Sequence, residues 1–256
     1  MARPLRLQFP GALYHITARG NERKNIYRID TDRQAFLRIL SQAIERYRLI
    51  LHAYVLMTNH YHLLLEPQEG NLSLAMRHLY GVYTSYFNRT HRWIGHLFQG
   101  RYKAILVEKE SYLLELSRYI HLNPHRVRMG VGLGQYRWSS YPDYIGTRKI
   151  PTWLRREEVL GYFGRDSSKA QVSYRRYMEE GIRKGVEKPW EKVLGQVVLG
   201  GEKFIGSIRA KIGQGRDREI VGRRQLEDRP SLEAIKKQVQ KALPMLLLLK
   251  KGNRSN

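Results

Sequence analysis

The chain has 256 residues, enough for one ordinary domain with an appendage or for two small domains, and enough to bury a core without covalent staples. It contains no cysteine, which excludes disulfides, thiolate metal sites and cysteine nucleophiles and fits a reducing cytoplasm. Lysine plus arginine number 46 against 23 aspartate plus glutamate, a formal charge of +23, so a polyanion is the expected partner, with a ribosome-associated or membrane-surface protein as the alternative that charge alone allows.

The first twenty residues are basic but lack the unbroken apolar stretch of a signal peptide, and no apolar run approaches the roughly 20 residues needed to cross a bilayer. The expectation is a soluble protein of the cytoplasm, associated with the nucleoid and making no use of a membrane. All 9 histidines fall between His15 and His125, whereas the last hundred residues have none and are richer in glycine. This shift predicts a boundary near residue 146, dividing 1–146 from a basic extension over 147–256. The extension carries 26 of the 46 cationic and 13 of the 23 acidic residues, so its net charge is 26 − 13 = +13, and both parts can hold nucleic acid.

Ala12 to Arg19 alternates with period two and reads as a strand before the turn-prone Gly20-Asn21. Residues 31–48 follow Asp30, a good N-cap, and carry Phe36, Leu37, Leu40 and Ile44 at helical spacing. Residues 51–57 and 60–66 are strand-like runs separated by Thr58-Asn59, the pattern of a hairpin. The stretch 71–88 reads as a helix with Leu72, Leu79, Val82, Tyr83 and Tyr86 on its apolar side. Residues 103–108 form a short β-rich run, and Ser111 is placed to cap a helix that Pro124 ends.

The order β-α-β-β-α-β predicts an α+β fold, a ferredoxin-like split βαβ antiparallel sheet with two helices on one face. In that topology the first and third strands lie side by side at the centre, so His15 should neighbour the 60–66 strand. The helix from 111 onward is the natural cover for the other face. Helices are further expected around 155–163, 167–184 and 231–243, making the extension mainly helical. The leucine run after Pro244 is too short to enter a membrane.

His60 and His62 alternate with Tyr61 on a strand, so both imidazoles leave one face about 7 Å apart and can converge on one metal ion. Two half-exposed strand histidines are the plainer reading of the same spacing. The helix after residue 111 carries Leu113, Leu116 and Ile120 on one side and Glu115, Tyr119 and Asn123 in a separate i, i+4, i+8 row. If that helix covers the histidine face, Tyr119 is a nucleophile aimed at a metal-bound group and Asn123 a third ligand. Otherwise Tyr119 is an ordinary aromatic at a helix–sheet seam. Paired imidazoles suit zinc, iron or nickel, while an amide oxygen and a phosphate favour magnesium or manganese.

Five stretches, in order, carry a resemblance to a known family: YHITARGN at 14–21, VLMTNHYHLL at 55–64, GHLFQGRYK at 95–103, RYIHLNP at 118–124 and WSSY at 138–141. Over residues 5–146 the chain resembles the single-tyrosine HUH transposases of the insertion-sequence type, and among them the REP-associated tyrosine transposases. The resemblance implies an HUH nuclease domain that cuts and rejoins single-stranded DNA beside hairpins or inverted repeats, as a monomer or a homodimer. It implies that Tyr119 becomes linked to a 5′ phosphate while His60, His62 and Asn123 bind Mg2+ or Mn2+. Longer relatives append a helix-turn-helix, and Arg229 to Ile235 looks like the approach to one, expected here in truncated form.

DNA contacts are expected from Arg19 and Asn21 after the first strand, from Arg89 and Arg92, and from the run Phe98, Gln99, Arg101, Tyr102 and Lys103, which combines phosphate-binding charge with rings for stacking. The competing reading is a non-catalytic DNA-hairpin or RNA-binding protein on the same fold.

Overall fold

The computed structural model describes residues 7–127, 129–130, 132–185, 193–194 and 197–213. A five-stranded sheet forms the centre, built from β1 (Leu13–Arg19), β2 (Leu49–Leu56), β3 (His60–Pro67), β4 (Lys103–Val107) and β5 (Val198–Leu199) in the order β2-β3-β1-β4-β5. The first four strands are antiparallel in the ferredoxin-like order that the sequence predicts, with β1 and β3 as neighbours. The two-residue β5 was not foreseen. It joins β4 in parallel, so the sheet is mixed rather than wholly antiparallel.

Helices α1 (Asp30–Arg46) and α2 (Leu72–His91) cover one face. Tyr61, between the two strand histidines, points to this side and meets Phe36 at 4.9 Å between ring centroids. The apolar stripe of α2 runs through Leu72, Ala75, Met76, Leu79, Tyr83 and Phe87; Val82, expected on it, is 40% exposed because it lies off that stripe. Asp30 is not the cap of α1 but its first residue. The carboxylate of the buried Asp32 instead accepts from the backbone N–H of Arg28 (2.7 Å) and Ile29 (3.1 Å) and meets Nε2 of His91 at 2.9 Å, tying the start of α1 to the end of α2.

The opposite face is crossed by α3 (Lys109–His121), with Leu113, Leu116 and Ile120 buried beneath it. Each such side chain contributes about 1.5–3 kcal/mol on leaving water, against about 1 kcal/mol for one added hydrogen bond, so this stripe sets where the helix lies. Ser111 falls inside the first turn, and Glu108 takes the cap position. Pro124 does not end α3; it begins the short helix α4 (Asn123–Arg126), where its missing N–H costs nothing.

Polar contacts pin α3 at both ends. At its start, Lys109 Nζ lies 2.7 Å from Glu66 on β3 and 2.5 Å from Glu158 on α6 (Glu157–Gly161). At its end, the buried His121 holds the hydroxyls of Ser140 and Tyr174, each at 2.7 Å. Ser140 precedes α5 (Tyr141–Tyr144), and this segment shields the outer edge of β2: the Ser140 N–H donates to the Tyr54 carbonyl, and the Tyr144 hydroxyl donates to the His52 carbonyl at 2.7 Å. Tyr174 belongs to α7 (Ser167–Lys184), and α8 (Glu202–Gly213) follows β5. Leu154, Leu160, Tyr174, Met178 and Leu199 lie in the same apolar core as the sheet. The expected helix at 231–243 and the stretch from Arg229 lie outside the described residues. Among the described residues no helix is long and apolar enough to cross a membrane.

Gly20 leaves β1 where the chain turns onto the 57–59 loop, and a Cβ there would sit 2.0 Å from the carbonyl oxygen of Lys24. Gly20→Ala is therefore expected to lower unfolding free energy by roughly 2–3 kcal/mol in chemical denaturation, and an unchanged midpoint would contradict the close approach.

Burial lowers the pKa of His121 from 6.5 to about 3. An unfolded chain takes up this proton first, so the contribution of His121 is complete above about pH 6.5 and is lost as pH falls toward 3. His121→Gln, whose amide can meet the same hydroxyls, is expected to be less stable at pH 7 by about 1–3 kcal/mol. The gap to the parent should narrow between pH 6.5 and 4 in denaturant titrations; a constant gap would contradict the assignment.

Candidate active site

His60 and His62 leave β3 on the face covered by α3, their ring centroids 5.2 Å apart. The Tyr119 ring meets His62 edge-on at 5.9 Å, with the planes at 73°. Tyr119 is 7% exposed and His62 8%, so both side chains stand at the edge of the core rather than in open water. Tyr119 thus faces His62 as the helical spacing requires, while Asn123 lies just past the end of α3, at the start of α4.

The hydrogen bonds fix which ring nitrogens remain available. Asn59 donates from its amide nitrogen to the Arg23 carbonyl at 2.9 Å, which turns its amide oxygen toward His60 Nδ1 at 2.7 Å. An amide oxygen only accepts, so His60 carries its proton on Nδ1 and presents a lone pair on Nε2. His62 Nδ1 lies 2.9 Å from Nε2 of His15, whose ring stacks on it at 5.1 Å. That contact leaves His62 Nε2 as its outward nitrogen too.

Burial, with Arg19 adding to it, lowers the pKa of His60 to about 4. Burial alone takes His15 to about 3. His62 is held well below the usual imidazole range, first by burial and then by His15, His60, Arg126 and Arg19. All three rings are neutral near pH 7, the form in which imidazole binds a metal.

Asn123 is buried, and its amide nitrogen donates to the Tyr119 carbonyl at 2.9 Å, which leaves the amide oxygen as the atom able to meet a cation. Two neutral imidazole nitrogens on one face with an amide oxygen on the adjoining helix are a donor set that fits a divalent ion. A second group, His52, Glu66 and Glu158, also brings metal-ligating atoms together. There, however, the Lys109 ammonium already lies between the two carboxylates and supplies the positive charge. Glu66 stands six residues along β3 from His60, roughly 20 Å away, so this group serves to anchor α3.

The residues expected to meet DNA divide in three. Arg19 sits opposite His60 in the β1–β3 register, exposed, and the Gln99 N–H donates to its carbonyl at 2.9 Å, while the Asn21 N–H donates to the Leu97 carbonyl at 2.9 Å. Arg19, Asn21 and Gln99 are therefore gathered beside His60. Arg92, at the end of α2, and Arg101 and Lys103, just before and at the start of β4, are exposed. Arg89 lies instead on the outer side of α2, in a groove with Tyr47 and Arg77, on the helix-covered side of the sheet away from Tyr119.

Phe98 and Tyr102 correct the expectation. Phe98 is 6% exposed and stacked on Tyr80 at 4.2 Å, and Tyr102 is 7% exposed, so both rings belong to the core and are not presented to bases.

Two residues at the site had been given no role in it. The place of His15 beside the 60–66 strand follows from the strand order as expected, and its contact with His62 is what the structure adds. Arg126, whose guanidinium lies 4.7 Å from the centre of the Tyr119 ring, is brought there by the turn at Pro124, which helical spacing alone does not describe.

Residues 9–123 match the family model for the IS200-like transposase. Solved structures of similar fold include a REP-associated tyrosine transposase bound to a REP hairpin, 14% identical with a TM-score of 0.48, covering 60% of this chain and 92% of that one. A protein from Deinococcus radiodurans R1 described as a candidate transposase is 20% identical with a TM-score of 0.32, covering 47% of this chain and 94% of that one. A tRNA(His) guanylyltransferase from Saccharomyces cerevisiae is 10% identical with a TM-score of 0.36, covering 66% of this chain and 79% of that one. No curated protein matches the chain. The matched segment spans the strand that carries His60 and His62 and the helix that carries Tyr119.

Proposed function

We propose that the chain cleaves and rejoins single-stranded DNA beside hairpins, with Tyr119 as nucleophile and His60, His62 and Asn123 as the holders of Mg2+ or Mn2+. The observation that carries this reading is the 5.9 Å approach of the Tyr119 ring to His62 within one chain. It supports a reading in which the chain acts as a monomer or a homodimer, residues 1–146 carry the chemistry, and the basic extension over 147–256 is a further grip on the polyanion.

The Tyr119 oxygen attacks a backbone phosphorus, the bond to the 3′ oxygen breaks, and the phenolic proton is passed on so that a free 3′ hydroxyl leaves. The products are a 5′-phosphotyrosine and that 3′ hydroxyl. A second 3′ hydroxyl attacking the phosphotyrosine reverses the step and rejoins DNA without ATP, because one ester bond is exchanged for another. A divalent ion, when bound, withdraws charge from the phosphate oxygens. Arg126 beside the phenol and Arg19 beside His60 supply fixed positive charge to the same phosphate. Arg92, Arg101 and Lys103 provide further phosphate contacts.

A labelled hairpin oligonucleotide with a single-stranded flank, mixed with the protein and Mg2+ or Mn2+, is expected to give an adduct that survives denaturing electrophoresis. Tyr119→Phe should abolish the adduct and keep DNA affinity within about twofold. Equal adduct formation by Tyr119→Phe would remove Tyr119 from the nucleophile's role. Binding with no cutting under either ion would favour a non-catalytic hairpin binder.

His15 is assigned to holding His62 with its Nε2 outward. His15→Leu is expected to weaken Mn2+ binding by about 10–100-fold in calorimetric titration, with adduct formation recovering as Mn2+ is raised. Unchanged Mn2+ affinity would contradict this.

A further inference from the structure

A cleft of about 560 Å³ lies between the loop after β1 and the corner that follows α2. Asn21, Lys24 and Arg28 line it from the loop, and Phe87, Trp93 and His96 from the corner. The volume falls in the range of pockets that take small ligands. None of its lining residues is acidic, although Lys24 also reaches Glu22 at 2.7 Å. The Arg28 guanidinium lies 5.1 Å from the centre of the Trp93 ring and 5.5 Å from that of Phe87, and Lys24 Nζ lies 5.4 Å from Trp93. At the rim Ile94 is 95% exposed, an apolar side chain given over to water.

The corner is built to hold this shape. Arg92 adopts a left-handed conformation (φ 48) that stops α2, and Gly95 follows at φ 107. The Trp93 N–H donates to the Asn88 carbonyl, and the Asn88 amide donates to the Gly95 carbonyl at 3.2 Å. Across the cleft, Glu22 and Arg23 also hold positive φ (53 and 61), a cost of about 1–3 kcal/mol per residue that surrounding contacts must offset. Those contacts run to the turn before β3: Gly20 N–H to the Asn59 carbonyl, Ile26 N–H to the Thr58 carbonyl, and the Asn59 amide to the Arg23 carbonyl. Asn59 is also the residue that orients His60. The wall of the cleft and the metal-facing imidazole thus share one support.

We propose that this cleft receives one unpaired nucleobase of the DNA strand, stacked on Trp93, with the adjoining phosphates on Lys24 and Arg28. A base has the flat, electron-rich face that can share Trp93 with Arg28, and exposed cations beside aromatic rings are the combination that binds single strands without reading duplex. The two exposed cations already over the ring mark where the incoming group lies. This assignment rests on the reading of the chain as a DNA-strand enzyme for its polymer class, but not on cleavage.

The test uses the full chain carrying Tyr119→Phe, in EDTA, with two fluorescent oligonucleotides: a blunt hairpin, and the same hairpin with a short single-stranded flank containing 2-aminopurine. Trp93→Ala is expected to weaken binding of the flanked hairpin by about tenfold or more and to abolish the quenching of 2-aminopurine, while blunt-hairpin affinity stays within twofold. Trp93→Phe, which keeps a ring, should retain most of both, and a thermal melt identifies any loss of fold. Equal weakening of both oligonucleotides, or no change in either, would overturn the proposal and leave Trp93 as a packing residue. Adduct formation in the parent chain with Mn2+ is scored separately, so a chain that never cuts DNA but discriminates the flank still supports the cleft.

Discussion

The structure depends on one helix crossing one strand: α3 lies over the face of β3 from which His60 and His62 emerge. Apolar burial at Leu113, Leu116 and Ile120 supplies most of the free energy that places it, but an apolar stripe tolerates sliding and rotation. The polar anchors remove that freedom. Lys109 ties the start of the helix to Glu66 and Glu158, and His121 ties its end to Ser140 and Tyr174. Tyr119 sits between these two anchors, two residues from the second, so its ring is delivered to His62 by elements on both sides.

The second constraint is electrical. A site for a cation and a phosphate, built at the edge of an apolar core, has to keep its own imidazoles neutral and correctly protonated before either partner arrives. Burial does the first, holding His15 at about 3 and His60 at about 4. Asn59 and His15 do the second, each taking an Nδ1 and leaving an Nε2 outward. Arg19, Arg92 and Arg101 are exposed and Arg126 is half-buried, so their positive charge can meet phosphate without entering the core.

Much of this could be read from the chain alone, because two periods are enough to state it. Alternation along 60–66 puts the histidines on one face, helical spacing puts Tyr119 and Asn123 on one row, and the strand order brings β1 beside β3. What periodicity could not supply was set by tertiary contact. Phe98 and Tyr102 stand in a basic run that looks like a nucleic-acid surface, yet the ring of Phe98 packs on Tyr80 and Tyr102 is buried with it. Asp30 has the residue type of a cap, but Asp32 reaches the free N–H groups because His91 and the end of α2 hold it there. The single-residue bulge at His52 shifts the β2–β3 register, and β5 is too short and too distant in sequence to leave a local signal. The Trp93 corner escaped for the same reason: its aromatic and basic residues come from segments some seventy positions apart and meet only in the fold.

The most direct test of the central arrangement is paramagnetic broadening by Mn2+ in a protein with isotope-labelled tyrosine rings. Of the 17 tyrosines, Tyr119 is expected to lose its ring signal at the lowest Mn2+ concentration, since its ring meets His62 edge-on. If the Tyr144 signal, beside His52 and the Glu66 group, vanished first while that of Tyr119 persisted, the ion would bind elsewhere and the catalytic assignment would fail.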